Sequence, residues 1–383
     1  MSLYLLARPL AEPLPAKFQP RRYSYDHSSR GELCCCGDGV SIYSLTGKQT
    51  RDEPVLEASH LSEEEAIYFP STLSSSDPDA LISFCSSIMK SEGNVVLDAS
   101  EFKFIDPLGL ATLRATLEGV PEGSEFNVRY MTASMISYLV RMEFFAGLNV
   151  EGIDVESGRN LMGEPDNCVE LLGVTNADQS EEVASRLVHA MTGIKADPSK
   201  ADEMEPYRRP LEYALKELLE NALSHAKRDG NFGSSVWVAC QHFAAKGTVR
   251  LAIVDNGCGF LATLKDHAML TERTHSAAIQ IALVERVSCN RGPFVAYETD
   301  SQNQGVGLTT TAKIAGAAAG FLVIASGDSW LRTDCGAKGT LADCGWKGVA
   351  IAFECSRELL PKIDIGALLP KVEGTLDKEI NFE

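Results

Sequence analysis

Three short segments of the sequence bring together residue types that can do chemistry. In LEYALKELLENALSHA, Glu217 and Asn221 stand four residues apart. A helix presents such a pair on one face, with Leu215, Leu218, Leu219, Ala222 and Leu223 forming an apolar side. A carboxylate and an amide then share one patch, which is either functional or part of a solvated surface. In RLAIVDNGCGF, an apolar strand runs into Asp255, Asn256, Gly257, Cys258, Gly259 and Phe260. A carboxylate at the end of a buried strand can accept a hydrogen bond from the exocyclic amine of a base, and two glycines let the backbone approach a ligand. An ordinary Asp-Gly turn is the alternative. In NQGVGLTTTAKIAGAAAG, Gly305 and Gly307 precede a helix. Its open N-terminal N–H groups and dipole suit a phosphate, although Gly-x-Gly turns also occur without a ligand.

The elements that must position these segments follow from hydrophobic periodicity. Residues 1–60 alternate prolines, arginines and short apolar pieces without a sustained period and read as an irregular arm. Residues 65–150 read as a first α/β domain with strands at Ala66–Phe69, Asn94–Asp98 and Phe126–Tyr130. Its helices are expected at Pro78–Lys90, Gly109–Gly119 and Ala133–Phe145, the first capped by Asp77 with Pro78 in its first turn. Residues 151–167 are rich in Gly, Asp, Glu and Asn and read as a linker. Residues 168–369 read as a second α/β domain with strands at Cys168–Val174, Ser234–Gln241, Thr248–Val254, Gly320–Ser326 and Gly348–Glu354. Its helices are expected at Ser180–Met191 and, carrying the Glu217–Asn221 pair, Pro210–Ala226. Residues 370–383 form an acidic tail.

Composition narrows the function classes. With 383 residues, 44% hydrophobic and 23% charged, the chain is that of a folded protein of roughly two domains. Thirty-five basic against 53 acidic residues leave a net charge of −18, which argues against direct contact with nucleic acid. The longest strongly apolar stretch, Gly316–Ser326, is about half the roughly 20 residues needed to cross a bilayer, so no membrane partner is expected. The first residues lack the basic start of a secretory signal. Eleven cysteines without a Cys-x-x-Cys pair fit a reduced, cytoplasmic protein. The Cys34–Cys36 triplet reads as a loop, since it has no ligand partner at metal spacing.

The order and spacing of the three segments resemble the Bergerat-fold (GHKL, histidine kinase-like) ATPase superfamily, which includes gyrase, HSP90, histidine kinases, mismatch-repair ATPases and anti-sigma-factor serine kinases. ELLENALSHA is similar to its N box, VDNGCGF to its first glycine box and GVGLTTTAKIAGAAAG to its second. The resemblance implies a Bergerat α/β sandwich that binds ATP and Mg²⁺. In it Asn221 coordinates the Mg²⁺, Glu217 is the general base, and Asp255 reads the adenine amine. Gly257 and Gly259 line base and ribose, and Gly305, Gly307 and Leu308 wrap the phosphates. Residues 261–304 form the lid. The family's Gly-Thr of the closing strand falls on Gly348 and Val349, or in an alternative alignment on Gly339 and Thr340. No lysine-bearing transducer segment is recognisable, and neither is a phospho-acceptor histidine, His189 lacking the right context. His225, inside the N box, is expected to pack or to face solvent.

In the first domain, NVVLDASEFKFIDPLGLATLRATL resembles the central strand–loop–helix of STAS domains, the fold of anti-sigma-factor antagonists. Asp98 ends the strand, and Asp106, Pro107, Leu108 and Gly109 form the loop, with Leu108 where such antagonists carry their phosphorylated serine. Thr112, one turn on, is a substitute acceptor or a structural residue. Together these readings imply a regulatory protein: a STAS-like α/β module followed by a Bergerat-fold α/β sandwich. It either turns over ATP, by hydrolysis or by phosphorylating Ser/Thr of a partner protein, or senses nucleotide without turnover. A homodimer is compatible with either.

Overall fold

The computed structural model of the chain describes residues 66–91, 93–120, 124–148, 150–155, 168–193, 201–226, 234–285, 287 and 307–369. The N-terminal arm with Cys34–Cys36, most of the linker, Gly305, the lid beyond residue 287 and the acidic tail lie outside them. The described residues all fall within one compact unit, residues 61–383.

The first layer of this unit contains β1 (Ile67–Tyr68), β3 (Val95–Asp98), β5 (Phe126–Arg129) and β6 (Val150–Glu151), paired in that order and all parallel. Two further short strands, β2 (Thr72–Leu73) and β4 (Phe104–Ile105), pair with each other. Helix α1 (Pro78–Lys90) is capped as expected, the Asp77 carboxylate accepting from Ala80 N at 3.0 Å. Helix α2 (Pro107–Gly119) begins earlier than Gly109. Asp106 caps it by accepting from Gly109 N at 3.1 Å, and Pro107 takes the first turn, where a missing N–H is harmless. The Asp-Pro-Leu-Gly segment is therefore a cap and helical turn, not a loop. Helix α3 spans Ala133–Arg141 and stops short of Phe145, Glu143 adopting a left-handed φ of 54° just beyond it. The pairing of β6 with β5 begins a strand where a linker is expected.

The second layer is a seven-stranded sheet. Its strands are β7 (Cys168–Val174), β8 (Val236–Phe243), β9 (Thr248–Asp255), β10 (Phe321–Gly327), β11 (Ser329–Arg332), β12 (Lys338–Thr340) and β13 (Trp346–Ser356). They are ordered β12-β11-β10-β13-β9-β8-β7 with antiparallel neighbours throughout. Strands β11 and β12 escape a reading of the sequence because they are short and sit among Asp, Gly and Lys. The helices are α4 (Ser180–Thr192), α5 (Ala201–Ala226), α6 (Gly259–Leu264), α7 (His275–Ala282) and α8 (Gly307–Ala317). Helix α5 begins at Ala201, not at Pro210, and runs through both Pro206 and Pro210. Each proline removes one backbone donor, which weakens a helix without necessarily ending it. Among the described residues no helix is long and apolar enough to cross a membrane.

Strand alternation divides the sheet's side chains between two cores. Leu251 and Ile253 of β9, Val349, Ile351 and Phe353 of β13, and Leu322 and Ile324 of β10 face the layer of α4, α5 and α8. Their neighbours Ala252, Ala350, Ala352 and Ala325, with Ala239 of β8, face the other way and join the core of the first layer. That second face consists largely of methyl groups, and α2 lies on it against β8, β9 and β13. The two parts read as separate domains thus share one core. At the seam, Arg250 Nη1 meets Asp106 Oδ2 at 3.1 Å and its Nε meets Glu354 Oε2 at 2.7 Å, with Asp106 1% exposed. Trp237 Nε1 donates to Glu118 at 2.8 Å, Trp330 Nε1 to Asp79 at 2.6 Å, and Tyr138 Oη to Gln241 at 2.7 Å.

Removing the cation from this seam leaves two carboxylates buried without it. Arg250→Met is expected to destabilise the folded protein by about 3 kcal/mol. The check is urea unfolding of the full chain, in which the midpoint falls while the slope stays unchanged.

Candidate functional site

A cavity opens between the sheet and the helices at the end of β9. Asn221 and His225 of α5, Ile253 and Asp255 of β9, and Val349 and Ile351 of β13 form its floor and one side. Phe260, Thr263 and Leu264 of α6, Ala282 of α7, Val287 and Leu308 of α8 close the other. The cavity is mostly apolar with a few convergent polar groups, the usual make-up of a small-molecule site.

The polar groups are placed by the elements that carry them. Asp255 is the last residue of β9 and 3% exposed. Its Oδ1 accepts from Gly257 N at 2.9 Å, and its backbone carbonyl accepts from Trp346 Nε1 at 2.9 Å. Burial pushes its carboxyl up to about 7, against the pull of backbone N–H groups of Gly257 and Val349. Glu217, Asn221 and His225 follow one another at four-residue intervals along α5 and share a face. Glu217 is 5% exposed, and its Oε2 is buried with no partner among the described residues. Burial and the nearby Glu220 raise its carboxyl to about 7, while Tyr213 and Lys216 pull it down. The start of α8 abuts this face: a Cβ on Gly307 would lie 3.1 Å from Leu218 N, 3.2 Å from Asn221 Nδ2 and 3.3 Å from Glu217 C. A side chain there would be tight against all three, so glycine suits the close approach of the helix N-terminus.

Of the residues singled out in the sequence, Asn221, Asp255 and Leu308 line the cavity, and Glu217 and Gly307 stand directly beside Asn221. Gly305 lies outside the described residues. Gly257 and Gly259 are not among the lining residues; contacts of the protein with itself account for both. A Cβ on Gly257 would sit 2.5 Å from Ala226 Cα, and Gly259, at φ +76°, would place one 2.8 Å from Ser326 Oγ and 2.9 Å from Lys347 O. His225, expected to pack away or face solvent, instead lines the cavity, as the third member of the stripe begun by Glu217 and Asn221. The apolar wall has only a partial signal in the sequence, Ile253 sharing a strand face with Asp255; the rest comes from the β9–β13 register, which pairs Val349 with Asp255 and Ile351 with Ile253. That register decides between the two alignments of the closing strand. Gly348 and Val349 lie beside Asp255, whereas Gly339 and Thr340 belong to the outermost strand β12. Beside Asp255 the closing strand presents the methyl groups of Val349.

Among the described residues no group of three or more His, Cys, Asp or Glu forms a metal cage. Mg²⁺ needs none when phosphate oxygens and water supply most of its ligands. The single amide of Asn221, beside a helix N-terminus and an unpartnered carboxylate oxygen, is a donor set that fits a metal-bound polyphosphate.

Residues 207–340 match the family model described as histidine kinase-, DNA gyrase B- and HSP90-like ATPase. The matched region contains all three segments and ends before β13. Searches of curated proteins and of solved structures return no match. The match supports an ATP-binding domain of this kind around the cavity.

The buried carboxyl of Asp255 has a consequence for stability. Its folded value, about 7, lies above its ordinary 3.8, so the folded state holds an extra proton between those pH values. The associated stability is present below about pH 4 and lost as the pH rises through about 7. At pH 8, Asp255→Asn is expected to stabilise the nucleotide-free protein by roughly 2 kcal/mol: about 4 kcal/mol from avoiding a buried charge, less about 2 for an amide donor without a partner. At pH 4 the carboxyl is already neutral and only the amide cost remains, so the variant is expected to be less stable than wild type by roughly 2 kcal/mol; urea unfolding at the two pH values measures the reversal.

Proposed function

We propose that the chain is a nucleotide-dependent regulator whose cavity takes ATP with Mg²⁺ and turns it over, either to water or to a Ser/Thr hydroxyl of a partner protein. The observation that carries this reading is the convergence of the buried Asp255 carboxyl, the Asn221 amide and the start of α8 on one apolar cavity, with Glu217, one of its oxygens unpartnered among the described residues, one turn away along α5. Asp255, held by Gly257 N, accepts the base's exocyclic amine, while Ile253, Val349 and Ile351 flank the ring plane. Leu308 and the first N–H groups of α8 receive the phosphates, and Gly305 extends that wrap in the sequence. Gly257 and Gly259 contribute through the backbone, letting α6 start at the cavity rim. Asn221 offers its amide oxygen to Mg²⁺, which when bound neutralises phosphate charge.

Glu217 is the residue assigned to proton transfer. It sits one turn before Asn221, buried, with one oxygen unpartnered and its carboxyl near 7, so it can take a proton from an attacking hydroxyl or water at neutral pH. Apolar walls exclude other water. The second reading, nucleotide sensing without turnover, draws support from Val349, whose methyl groups offer no hydroxyl beside Asp255.

The resemblance of residues 65–150 to STAS domains supplies the regulatory half of the proposal, with the parallel layer and the Asp106-capped helix as its support. Leu108 is 2% exposed and Thr112 fully buried, so neither position serves as a phosphate acceptor in this fold.

ATP titration and ADP release on the full chain test the proposal. Asp255→Ala is expected to abolish measurable binding. Glu217→Gln should keep binding while lowering ADP release by about 10²–10⁴-fold. Wild-type binding without ADP release would select the sensing reading, and no wild-type binding would overturn both.

A further inference from the structure

The far wall of the cavity is held by a contact outside it. Helix α7 begins with Thr274, whose hydroxyl accepts from Ala277 N at 3.2 Å, and with His275 as its first residue. The His275 ring lies on Gly327, at the turn from β10 to β11, so closely that a Cβ there would fall inside the ring's van der Waals shell. Gly327 has φ +62°, a conformation that already favours glycine. His275 Nδ1 is buried with no partner among the described residues. An unsatisfied buried nitrogen costs stability, so the ring earns its place by shape rather than by hydrogen bonding.

The rest of α7 transmits that placement to the cavity. Ala278 is fully buried with Leu264 and Leu270, and Ile279 reaches the main core. At the far end Ala282 lines the cavity, Leu283 O accepts from Thr309 Oγ1 of α8 at 3.3 Å, and Glu285 pairs with Lys313. Helix α7 thus packs along its length on α6, β10 and β11, is tied to α8 just beyond its C-terminal end, and at its N-terminal end rests through the His275 ring on Gly327.

We propose that His275 is a positioning residue. Seated on Gly327, it fixes the tilt of α7 and so sets the distance between the wall formed by α6 and α7 and the floor that carries Asp255. The ligand class, a purine nucleotide, rests on the function proposed above; the seating of the helix does not.

The test uses the full chain and two measurements. Hydrogen exchange of the nucleotide-free protein reads the seating directly. His275→Ala and Gly327→Ala should each speed exchange across residues 275–283 while leaving β9 and β13 protected. The double variant should add to His275→Ala only the local strain of a side chain at φ +62° in the β10–β11 turn, with no second increase across residues 275–283. His275→Phe, which keeps a ring and removes the unpaired nitrogen, should retain the protection. ATP titration then reads the consequence: about tenfold weaker binding for the two alanine variants and near wild-type binding for His275→Phe. Unchanged exchange in both alanine variants, or loss of protection in His275→Phe equal to that in His275→Ala, would overturn the proposal. If the exchange pattern appears but the wild type binds no ATP, the seating stands and the nucleotide reading fails.

Discussion

Strand β9 is buried on both faces, and the two faces require different things of it. Toward the helices, Leu251 and Ile253 are large and build a core that ends in the buried carboxylate of Asp255. Toward the first layer, Ala252 and Val254 join the alanines of β8, β10 and β13 in a shallow surface on which α2 can lie. Burying this second face removes apolar area from water at roughly 25 cal/mol per Å². It also forces the polar groups at its rim to find partners, hence Arg250 between Asp106 and Glu354. The first layer is consequently part of the sheet's structure, not an appendage to it.

The cavity inherits its geometry from close backbone approaches on the opposite face. Gly257 lets the loop after β9 touch the end of α5, and Gly307 lets the start of α8 touch Glu217 and Asn221. Gly348 lets β13 pass beside Asp255. Each approach brings together chain segments far apart in sequence, and together they place one buried carboxyl, one amide and one helix N-terminus around a single apolar space. The burial that these approaches create also raises the carboxyls of Asp255 and Glu217 toward neutrality. An affinity for protons there is the natural companion of an affinity for a ligand that brings its own donors and cation.

The same strand connects the seam to the cavity. Arg250 and Asp255 lie on β9, the first tied to the cap of α2 and the second to the ligand end. Helix α2 packs across β8, β9 and β13, and of these β9 and β13 also line the cavity. That arrangement gives a regulatory reading a physical basis, because packed layers move as units rather than deforming continuously.

Most elements were legible in the sequence because their signals are local. Short apolar runs mark β7, β8, β9, β10 and β13, the Asp-Pro start marks α1, and spacing alone puts Glu217 and Asn221 on one helix face. Asp255 was legible as a carboxylate closing an apolar run, and the three segments together pointed to a nucleotide before any coordinates did. Local signals erred where tertiary contacts outweighed them: α5 continues through Pro206 and Pro210, α2 starts at its cap, and β6, β11 and β12 exist only by virtue of their neighbours. The purpose of Gly257 and Gly259, the place of His225 and the choice of Val349 as the partner of Asp255 depend on register and close approach, which no single segment encodes. The sequence by itself determined which chemical groups are present and which helix or strand carries each, since periodicity is a property of adjacent residues. The tertiary structure alone decided that the two layers share a core and that α8 meets Asn221, since those contacts join residues far apart along the chain.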